Sequence, residues 1–326
     1  MTLAPTSPST VVFAYHNVGV RCLRVLLDAG VDVKLVVTHV DSPTEAIWFD
    51  SVARLAAERG LACVTPADAN QEGLLARVQA LSPDFLFSFY YRQMLSAPLL
   101  AAPRRGAFNL HGSLLPHYRG RAPVNWAVLR GERETGATLH VMEIKPDHGP
   151  IVDQCAVPIL VDDDARQVFD KVTLAAEIVL ARALPKLIAG TATLTPQVHL
   201  PGQYFGGRRP EDGRIPASAT ARQIHDLVRA VAPPEYPGAF FDAGGRRVLV
   251  AKSHPSGASA PPAAQGAADK HRTAPRFHMH SAQGQLWITA ADGAQLRVLH
   301  ALVDGQPCCA AQFTHAFGHA PVAPDA

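Results

Sequence analysis

The chain begins with an alternation of short apolar runs and stretches in which apolar residues recur at helical spacing. The apolar runs predict buried β-strands at 11–15, 33–38, 61–64 and 85–90. The helix predicted between the first two runs has its apolar face at Cys22, Leu23, Leu26 and Leu27. A second predicted helix covers 45–59. Because strands that alternate with helices usually pair in parallel, the pattern predicts a parallel α/β sheet covered on both faces.

The pattern changes in the second half of the chain, where one long helix precedes several short strands. Strands are predicted at 138–143 and 153–158, and a long helix at 165–189, ended by Gly190. A polar link that contains Pro and Gly covers 191–210. One helix and four short strands are predicted beyond it, at 220–230, 239–241, 247–252, 285–289 and 296–299. Short strands separated by turns indicate a small β-rich domain.

This pattern divides the chain into two expected domains with short ends. The first domain is expected at 11–202 and the second at 203–305, with a flexible N-terminus at 1–10 and a tail at 306–326. Within the second domain, 255–275 contains seven Ala, four Pro, two Gly and two Ser in 21 residues. This composition is typical of a segment without a packed core, so we expect a flexible surface loop there.

Composition and charge exclude several classes of protein. Of the 326 residues, 48% are apolar, and 30 Lys and Arg against 28 Asp and Glu leave a formal charge of +2. Such a nearly even balance of positive and negative residues is not typical of a protein that coats nucleic acid. The five cysteines form no C-x-x-C pair, and no run approaches the roughly 20 apolar residues of a membrane span. Because the N-terminus does not resemble a secretory signal, we expect a cytoplasmic protein without membrane insertion.

Candidate chemistry lies where an apolar run starting at Phe108 meets polar residues. Residues 108–123 read FNLHGSLLPHYRGRAP. Alternation along a strand sends Asn109 and His111 to one face and Leu110 to the other, so two polar groups converge near the end of the strand. The Gly and Pro residues of the following loop predict a constrained conformation, which is typical of an active-site loop.

A carboxylate completes this group of polar residues. Asp147 lies in the sequence EIKPDHGP at 143–150, just after a predicted strand. Brought to His111 by a neighbouring strand, this carboxylate would orient the imidazole and favour its charged form, while the Asn109 amide would donate to a developing oxyanion. One amide, one imidazole and one carboxylate suffice for acyl transfer without a covalent intermediate. Each residue alone is as typical of a turn or a strand as of a catalytic site.

The longer motif, formed by 108–123 and the Asp147 segment, resembles the 10-formyltetrahydrofolate-dependent formyltransferases. This family includes methionyl-tRNA formyltransferases and sugar-nucleotide N-formyltransferases. Four further segments are similar to the formyltransferase domain of the bifunctional polymyxin-resistance enzymes, at 11–17, 51–60, 81–84 and 87–92. The resemblance covers 11–250 well. It implies an α/β fold, a Rossmann-like formyltransferase domain with a smaller C-terminal OB-like β-barrel domain.

The resemblance also implies roles for individual residues. Asn109 would stabilise the transition state, His111 would be the catalytic acid and base, and Asp147 would tune the protonation of His111. The co-substrate 10-formyltetrahydrofolate would contact residues of three segments, namely Gln93, Met94, Leu95, Arg121, Glu143, Ile144, Lys145, Pro146 and Asp147. The implied acceptor is the amine of a UDP-amino sugar, UDP-4-amino-4-deoxy-L-arabinose, on the route to modified lipid A and polymyxin resistance.

The residues that would hold the sugar nucleotide are less clearly marked. Tyr15, His16 and Asn17 follow the first strand, where ligands of α/β sheets bind, although a capping turn explains His16 and Asn17 almost as well. Arg208 and Arg209 suit a diphosphate, with a solvated turn as an equal alternative. The polymyxin-resistance enzymes also carry a decarboxylase domain that this sequence lacks, so we expect a separate decarboxylase in the substrate pathway.

Methionyl-tRNA formylation is the main alternative, because it uses the same chemistry. Binding of tRNA requires a basic second domain, but 203–326 carries 12 Lys and Arg against 9 Asp and Glu, a surplus of +3. We therefore expect a small-molecule acceptor and no stable nucleic-acid complex. Formylation of another nucleotide-linked amino sugar, a folate sensor, and a hydrolase that releases formate are further alternatives.

No metal site is expected from the sequence. His278 and His280 alternate on a predicted strand, but no further ligands match them, so we expect an exposed face there. The adjacent Cys308 and Cys309 likewise indicate no site.

Overall fold

The computed structural model describes residues 7–43, 47–198, 201–202, 204–256 and 276–325. The chain forms two compact units that are not consecutive in sequence. The first unit contains 1–123, 134–158 and 169–206, and the second contains 124–133, 159–168 and 207–326. The last change of unit, after residue 206, lies close to the expected domain boundary. Two short segments of the expected first domain belong instead to the second unit.

The described elements alternate between strand and helix up to residue 189 and are mainly strands thereafter. In chain order they are β1 (Ser9–Ala14), α1 (His16–Asp28), β2 (Asp32–Val37), α2 (Val52–Glu58), β3 (Cys63–Val64), α3 (Glu72–Leu81), β4 (Phe85–Phe89), α4 (Ala97–Leu100), β5 (Ala107–His111), β6 (Arg119–Gly120), α5 (Pro123–Leu129), β7 (Glu134–Val141), β8 (Ile151–Pro158), α6 (Ala165–Ala189), β9 (Tyr204–Phe205), α7 (Ala221–Ala230), β10 (Ala239–Ala243), β11 (Arg246–Pro255), β12 (His278–Ala282), β13 (Gln285–Thr289), β14 (Gln295–Val303), β15 (Gln306–Pro307) and α8 (Ala310–Phe317). A 3₁₀ turn covers Pro210–Gly213.

The first unit is built on a mixed sheet whose described strands run in the order β3-β2-β1-β4-β5-β7-β8. β1 to β5 pair in parallel, as the alternation predicts. β7 is antiparallel to β5, and β8 is antiparallel to β7. The alternation that predicts the parallel pairing does not extend to this edge, where β7 and β8 are joined by a short loop rather than by a crossover helix. Every residue of β1 and β4 is buried, so the centre of the sheet forms the core.

Most predicted elements lie close to the observed ones. α6 and β13 have the predicted bounds. The helix predicted at 45–59 is wrong in its first part: α2 begins only after Ser51, whose hydroxyl accepts a hydrogen bond from the Arg54 N–H. Residues 44–46 lie outside the described residues, and Phe49 stacks on the His16 ring instead of continuing a helix. The capping side chain fixes the start of the helix more precisely than the apolar pattern does.

The second unit contains the small antiparallel sheet predicted from the sequence. Its described strands run β10-β11-β14-β13-β12, with β15 paired to β14, and form a half-barrel of the expected OB-like kind. α7 begins at a capping box in which Thr220 and Gln223 satisfy each other's backbone N–H groups. His225 on this helix accepts from or donates to Ser253 Oγ of β11 at 3.0 Å, which joins helix and sheet.

The chain ends differ in part from the sequence-based expectation. The segment expected as a tail, 306–326, contains β15 and α8, and Val322 pairs with Met279 of β12. At the other end, residues 9 and 10 of the expected flexible N-terminus belong to β1, whereas 1–6 lie outside the described residues. Most of the loop expected at 255–275 also lies outside them, and Pro255 is the last residue of β11.

In the part of the chain described above, no helix is both long and apolar enough to cross a membrane. The five cysteines are all free thiols. Cys22 lies on the buried face of α1, where burial raises the pKa of its thiol and keeps it in the neutral form.

Candidate active site

Two strands place three polar side chains on one face of the first unit's sheet. Asn109 and His111 lie on β5, with the fully buried Leu110 between them on the opposite face. In the antiparallel pair, Asn109 lies directly opposite His140 of β7, and His111 lies opposite Thr138. The Asn109 Nδ2 and His140 Nε2 atoms are 3.1 Å apart. The alternation read from the sequence is thus correct, and the partner strand adds a histidine that the sequence analysis did not select.

Asp147 joins this group from the loop that connects β7 to β8. Its Oδ1 atom lies 3.5 Å from His111 Nδ1 and 3.6 Å from His140 Nε2. Its Oδ2 atom accepts a hydrogen bond of 2.9 Å from the Gly120 N–H. Asp147 adopts a φ of 57°, a left-handed conformation that Asp tolerates better than most residues. The predicted approach of this carboxylate to the His111 imidazole is present in the structure.

The surroundings of Asp147 keep its carboxyl group ionised. Burial is the largest single influence and opposes ionisation, since only 11% of the side chain is exposed. The positive charge available to His111 is the largest of the influences that oppose burial, the Gly120 N–H adds to it, and the pKa of Asp147 lies well below its usual range. A permanent negative charge therefore faces both histidines.

The second nitrogen of His111 also faces an oxygen. His111 Nε2 lies 2.9 Å from the backbone oxygen of Tyr118, and the ring is only 7% exposed. Because Tyr118 O only accepts, Nε2 carries a proton and donates it. Nδ1 faces the Asp147 carboxylate at 3.5 Å, so a second proton on the ring would lie beside a negative charge. This arrangement suits a residue that holds and releases a proton during acyl transfer.

A hydrogen-bond network fixes the loop after His111. Thr138 Oγ1 donates to the Ser113 backbone oxygen at 2.6 Å and accepts from the Leu115 N–H at 3.1 Å. The Gln154 side chain of β8 donates to the same hydroxyl at 2.8 Å and to the Leu115 backbone oxygen at 2.9 Å. The constrained loop expected from its Gly and Pro content is therefore tied to β7 and β8.

Gly120 connects the loop to a second short strand. β6 pairs in parallel with β9, and the Tyr118 and Phe205 rings stack with centroids 5.0 Å apart. Gly120 has a φ of 97°, and a Cβ atom there would collide with the Phe205 backbone oxygen. Only glycine fits this position without strain. The same residue donates the hydrogen bond to Asp147, so the pairing of β6 with β9 helps to hold the carboxylate.

Further residues near Asp147 were missed by the sequence analysis. Arg119 is 5% exposed and contacts the His148 ring. Gln197 donates from its amide to the backbone oxygens of Asp147 at 3.2 Å and Gly149 at 2.6 Å. His140 carried a detectable signal, because Thr138 and His140 alternate on a strand in the same way as Asn109 and His111. Gln197 carried none, since its contact depends on a distant loop.

The residues predicted to contact folate have mixed surroundings. The Gln93 side chain is used within the fold, accepting from the Ala69 N–H at 2.7 Å and donating to the Ala67 oxygen at 2.9 Å, and Leu95 is part of the core. Met94 and Ile144 are unusually exposed apolar side chains, at 55% and 74%. The other predicted contacts are Arg121, Glu143 and Lys145, which are exposed, and Pro146, which is half-buried. A folate contact by Gln93 or Leu95 would involve the backbone.

The three residues after β1 are held by neighbouring side chains. Tyr15 is 4% exposed and donates to Asp41 Oδ1 at 2.7 Å. His16 is 8% exposed and lies within a cluster of aromatic rings. The Asn17 side chain accepts from the Asp50 N–H at 2.8 Å, and α1 has no side-chain cap, so the capping turn weighed from the sequence is not what holds Asn17.

The two arginines singled out for a diphosphate belong to the second unit. The Arg208 guanidinium lies over the Trp126 ring, 5.1 Å from its centroid, and donates to the Asp212 backbone oxygen at 3.0 Å. Burial lowers the pKa of Arg208, although the nearby Asp212 opposes this effect. Arg209 is exposed, and its backbone N–H donates to the Asp212 carboxylate at 2.8 Å. Arg208 is thus the better fixed of the two cations.

The histidine pair on β12 differs from the sequence-based expectation. His280 is 2% exposed, so the prediction of an exposed face is wrong for this residue. It lies directly opposite the buried Trp287 of β13, which explains its burial. Within the described ranges, no three His, Cys, Asp or Glu side chains come together as a group that could hold a metal ion.

Comparisons with known proteins match both parts of the chain. Residues 20–184 match the formyl transferase family, and 208–317 match the formyl transferase C-terminal domain. Among solved structures, an N-formyltransferase from Helicobacter canadensis in complex with folinic acid and dTDP-3-aminofucose is 19% identical, with a TM-score of 0.70 over 93% of this chain and 100% of that chain. WlaRD, a sugar 3N-formyl transferase solved with dTDP and 5-N-formyl-THF, is 18% identical, with a TM-score of 0.67 over 89% and 96%.

A third similar structure is a sugar N-formyltransferase from Shewanella, which is 19% identical, with a TM-score of 0.59 over 75% of this chain and 96% of that chain. At these identities the solved structures establish the fold. The match to the formyl transferase family at 20–184 by itself covers half of the chain. The match to the formyl transferase C-terminal domain adds 208–317. Together with the Asn109, His111 and Asp147 geometry, these matches show that the chain belongs to the formyl transferase family.

Proposed function

We propose that this formyltransferase transfers the formyl group of 10-formyltetrahydrofolate to the amine of a nucleotide-linked amino sugar. The observation that carries the proposal is the contact of Asp147 with His111, beside Asn109, in a chain of the formyl transferase family. Two similar structures, with TM-scores of 0.70 and 0.67, were solved with a formylated folate and with dTDP or a dTDP-amino sugar. UDP-4-amino-4-deoxy-L-arabinose is our first candidate acceptor, and we propose that the reaction occurs in the cytoplasm.

In the proposed reaction, the neutral amine attacks the formyl carbon, and the formyl oxygen gains negative charge. An N–H of Asn109 and the proton of His111 stabilise this oxyanion. His111 then gives its proton to the folate nitrogen as the bond between the formyl carbon and that nitrogen breaks, and the neutral His111 takes up the proton that the attacking amine loses. Asp147 stays ionised and stabilises the cationic form of His111 throughout.

The surroundings of the predicted folate residues favour some of them over others. We propose that the exposed Arg121 guanidinium pairs with a folate carboxylate, and that Met94 and Ile144 pack against the flat ring system. Both side chains are exposed and so are accessible to a ligand. For Gln93, Leu95 and the segment 143–146, we propose contacts through the backbone.

For the sugar nucleotide, we propose that Arg208 binds the diphosphate. A guanidinium fixed on an aromatic ring loses little conformational entropy when it binds phosphate oxygens. Arg209 would add charge to the same ligand from an exposed position. Tyr15, His16 and Asn17 would line the acceptor site through the surfaces that their packing leaves accessible.

The test is an assay of tetrahydrofolate release and product mass with a panel of acceptors. The panel contains UDP-4-amino-4-deoxy-L-arabinose, dTDP-3-amino and dTDP-4-amino sugars, and methionine-charged initiator tRNA, with a reaction without acceptor. We expect one nucleotide sugar to gain a formyl group, and we expect His111→Ala to lose this activity. Formylation of charged tRNA alone would contradict the substrate proposal. Release of formate without an acceptor would instead identify a hydrolase.

A further inference from the structure

We propose that His140 is a positioning residue that sets the orientation of the Asn109 amide. An asparagine amide can place either its oxygen or its nitrogen toward a given neighbour, and only the nitrogen can donate to an oxyanion. His140 lies directly opposite Asn109 in the β5–β7 pair and is 2% exposed. The inference rests on the proposed function, because it assigns a purpose to the Asn109 N–H groups.

The proton of His140 is assigned by its backbone neighbour. Its Nδ1 atom lies 2.8 Å from the Val141 backbone oxygen, which can only accept. A proton on Nδ1 makes the neutral ring a donor there and leaves Nε2 with a free lone pair. Nε2 is therefore an acceptor for the Asn109 amide nitrogen at 3.1 Å.

The opposite orientation of Asn109 is unfavourable for the same reason. Rotation of the amide by half a turn would bring its oxygen against the lone pair of His140 Nε2, and two acceptors would face each other in a buried site. One N–H of Asn109 is thus held by His140, and the second N–H on the same nitrogen stays available for the formyl oxygen. The Val141 oxygen fixes the tautomer of His140, and this tautomer fixes the orientation of the Asn109 amide.

Asp147 is the other group that faces His140. Its Oδ1 atom is 3.6 Å from Nε2, beyond normal hydrogen-bond length, whereas Gly120 bonds its other oxygen at 2.9 Å. A proton on Nε2 would make the contact with the Asp147 carboxylate favourable. It would make the contact with the Asn109 N–H unfavourable, because two donors would then face each other. The proposal therefore requires Nε2 to be unprotonated in the active protein.

The kinetic test compares His140→Phe, which keeps a ring but no nitrogen, with His140→Gln, which keeps both an acceptor and a donor. We expect His140→Phe to lower kcat about 10- to 100-fold with both KM values changed less than about threefold, because binding groups are untouched. We expect His140→Gln to recover most of kcat. His300→Gln, an exposed position on β14, is the matched control and should leave kcat unchanged.

A double-mutant cycle identifies the residue through which His140 acts. In an Asn109→Ala background, His140→Phe should have little further effect on kcat, because the group that it orients is missing. Additive effects of the two substitutions would overturn the proposal. So would a cycle in which Asp147→Asn, and not Asn109→Ala, removes the effect of His140→Phe.

A measurement without substrate separates this inference from the proposed function. Nitrogen NMR of ¹⁵N-histidine-labelled protein distinguishes a protonated ring nitrogen from one with a free lone pair, and His140→Phe assigns the signals by their loss. We expect protonated Nδ1 and unprotonated Nε2 at neutral pH. A protonated Nε2 would overturn the proposal even if the acceptor were identified correctly. The expected tautomer together with an inactive panel would contradict only the substrate assignment.

Discussion

At the residue scale, one carboxylate organises the candidate active site. Asp147 faces His111 and His140 through one oxygen and the Gly120 N–H through the other. Its negative charge faces Nδ1 of His111, whose second nitrogen donates to the Tyr118 oxygen. The site thus holds a proton and an amide donor close together before any substrate binds, as pre-organised electrostatic stabilisation requires.

The first prediction concerns the two groups that would contact the oxyanion. Asn109→Ala should lower kcat about 10²- to 10³-fold, because it removes a pre-positioned donor. His111→Ala should lower kcat about 10²- to 10⁴-fold, because it removes the acid and base. Steady-state kinetics with the acceptor identified from the panel measures both. A change confined to KM would show that these residues bind substrate without stabilising the transition state.

The second prediction concerns stability against pH. The pKa of Asp147 is lower in the folded protein than in the unfolded chain, so the folded state binds this proton less readily. The resulting stabilisation is complete above about pH 4, which is the ordinary pKa of Asp in an unfolded chain. It is lost as the pH falls through the pKa of Asp147 in the folded protein. Asp147→Asn should therefore lower the free energy of unfolding at neutral pH, with a gap to the wild type that narrows in acid.

Denaturant unfolding at a series of pH values measures this gap. Asp28→Asn, at an exposed position at the end of α1, is the matched control for removing one negative charge. The difference in free energy of unfolding between Asp28→Asn and the wild type should stay small at every pH of the series. An Asp147→Asn gap that is constant with pH would contradict the assigned charge of the carboxyl group.

At the element scale, the site depends on three connections between elements. The antiparallel β5–β7 pair brings Asn109 and His140 side by side, and the β7–β8 loop carries Asp147 back over them. The β6–β9 pair then ties the loop after His111 to a strand far along the chain. Each connection fixes one partner of the catalytic group.

The third prediction tests the connection at Gly120. Gly120→Ala places a Cβ atom against the Phe205 oxygen at a φ of 97°, so β6 must move away from β9. We expect lower kcat and lower thermal stability, because the hydrogen bond from Gly120 to Asp147 depends on this position. Enzyme assays and calorimetry of the same preparation measure both effects.

Gly190→Ala is the matched control for this substitution. Gly190 also has a positive φ, of 69°, but has open space around it at the end of α6. Gly190→Ala should lower the free energy of unfolding by only about 1 to 2 kcal/mol, which is the cost of a left-handed backbone conformation for alanine. It should leave kcat unchanged. Equal losses of activity in the two variants would mean that the β6–β9 pair does not position Asp147.

At the scale of the whole molecule, charge separates the two main classes of acceptor. The chain has a formal charge of +2, and 203–326 has 12 Lys and Arg against 9 Asp and Glu. Several of these cations are engaged with carboxylates in the second unit, including Arg214 and Arg247 with Asp242. These ion pairs neutralise part of the positive charge that a nucleic-acid backbone would attract.

The fourth prediction follows from this balance. Transfer to a nucleotide sugar should change by no more than about tenfold between about 50 and 200 mM salt, because at most two phosphates are contacted. A mobility-shift titration with initiator tRNA should give no complex at the higher salt concentration. A complex whose affinity falls about 10³-fold or more over this range would indicate many phosphate contacts and would favour the tRNA alternative.

Much of the architecture could be predicted from the sequence. The bounds of α6 and β13, the alternation of β1 to β4 with helices, and the small β-rich second unit all follow from local periodicity. The common face of Asn109 and His111 follows from strand alternation, and the long motif around them indicates the family. These features depend on neighbours a few residues apart, whose preferences are expressed before any tertiary contact forms.

Only the tertiary structure decided which distant residues meet. The antiparallel register places His140 opposite Asn109, the loop brings Asp147 to both histidines, and Gln93 turns inward to hold residues 67 and 69. Strand pairing is set by hydrogen bonds and packing between segments far apart in the chain, and many registers satisfy the same local pattern. The sequence by itself therefore determined the elements and the reactive residue types, while the packing of the sheet determined their contacts.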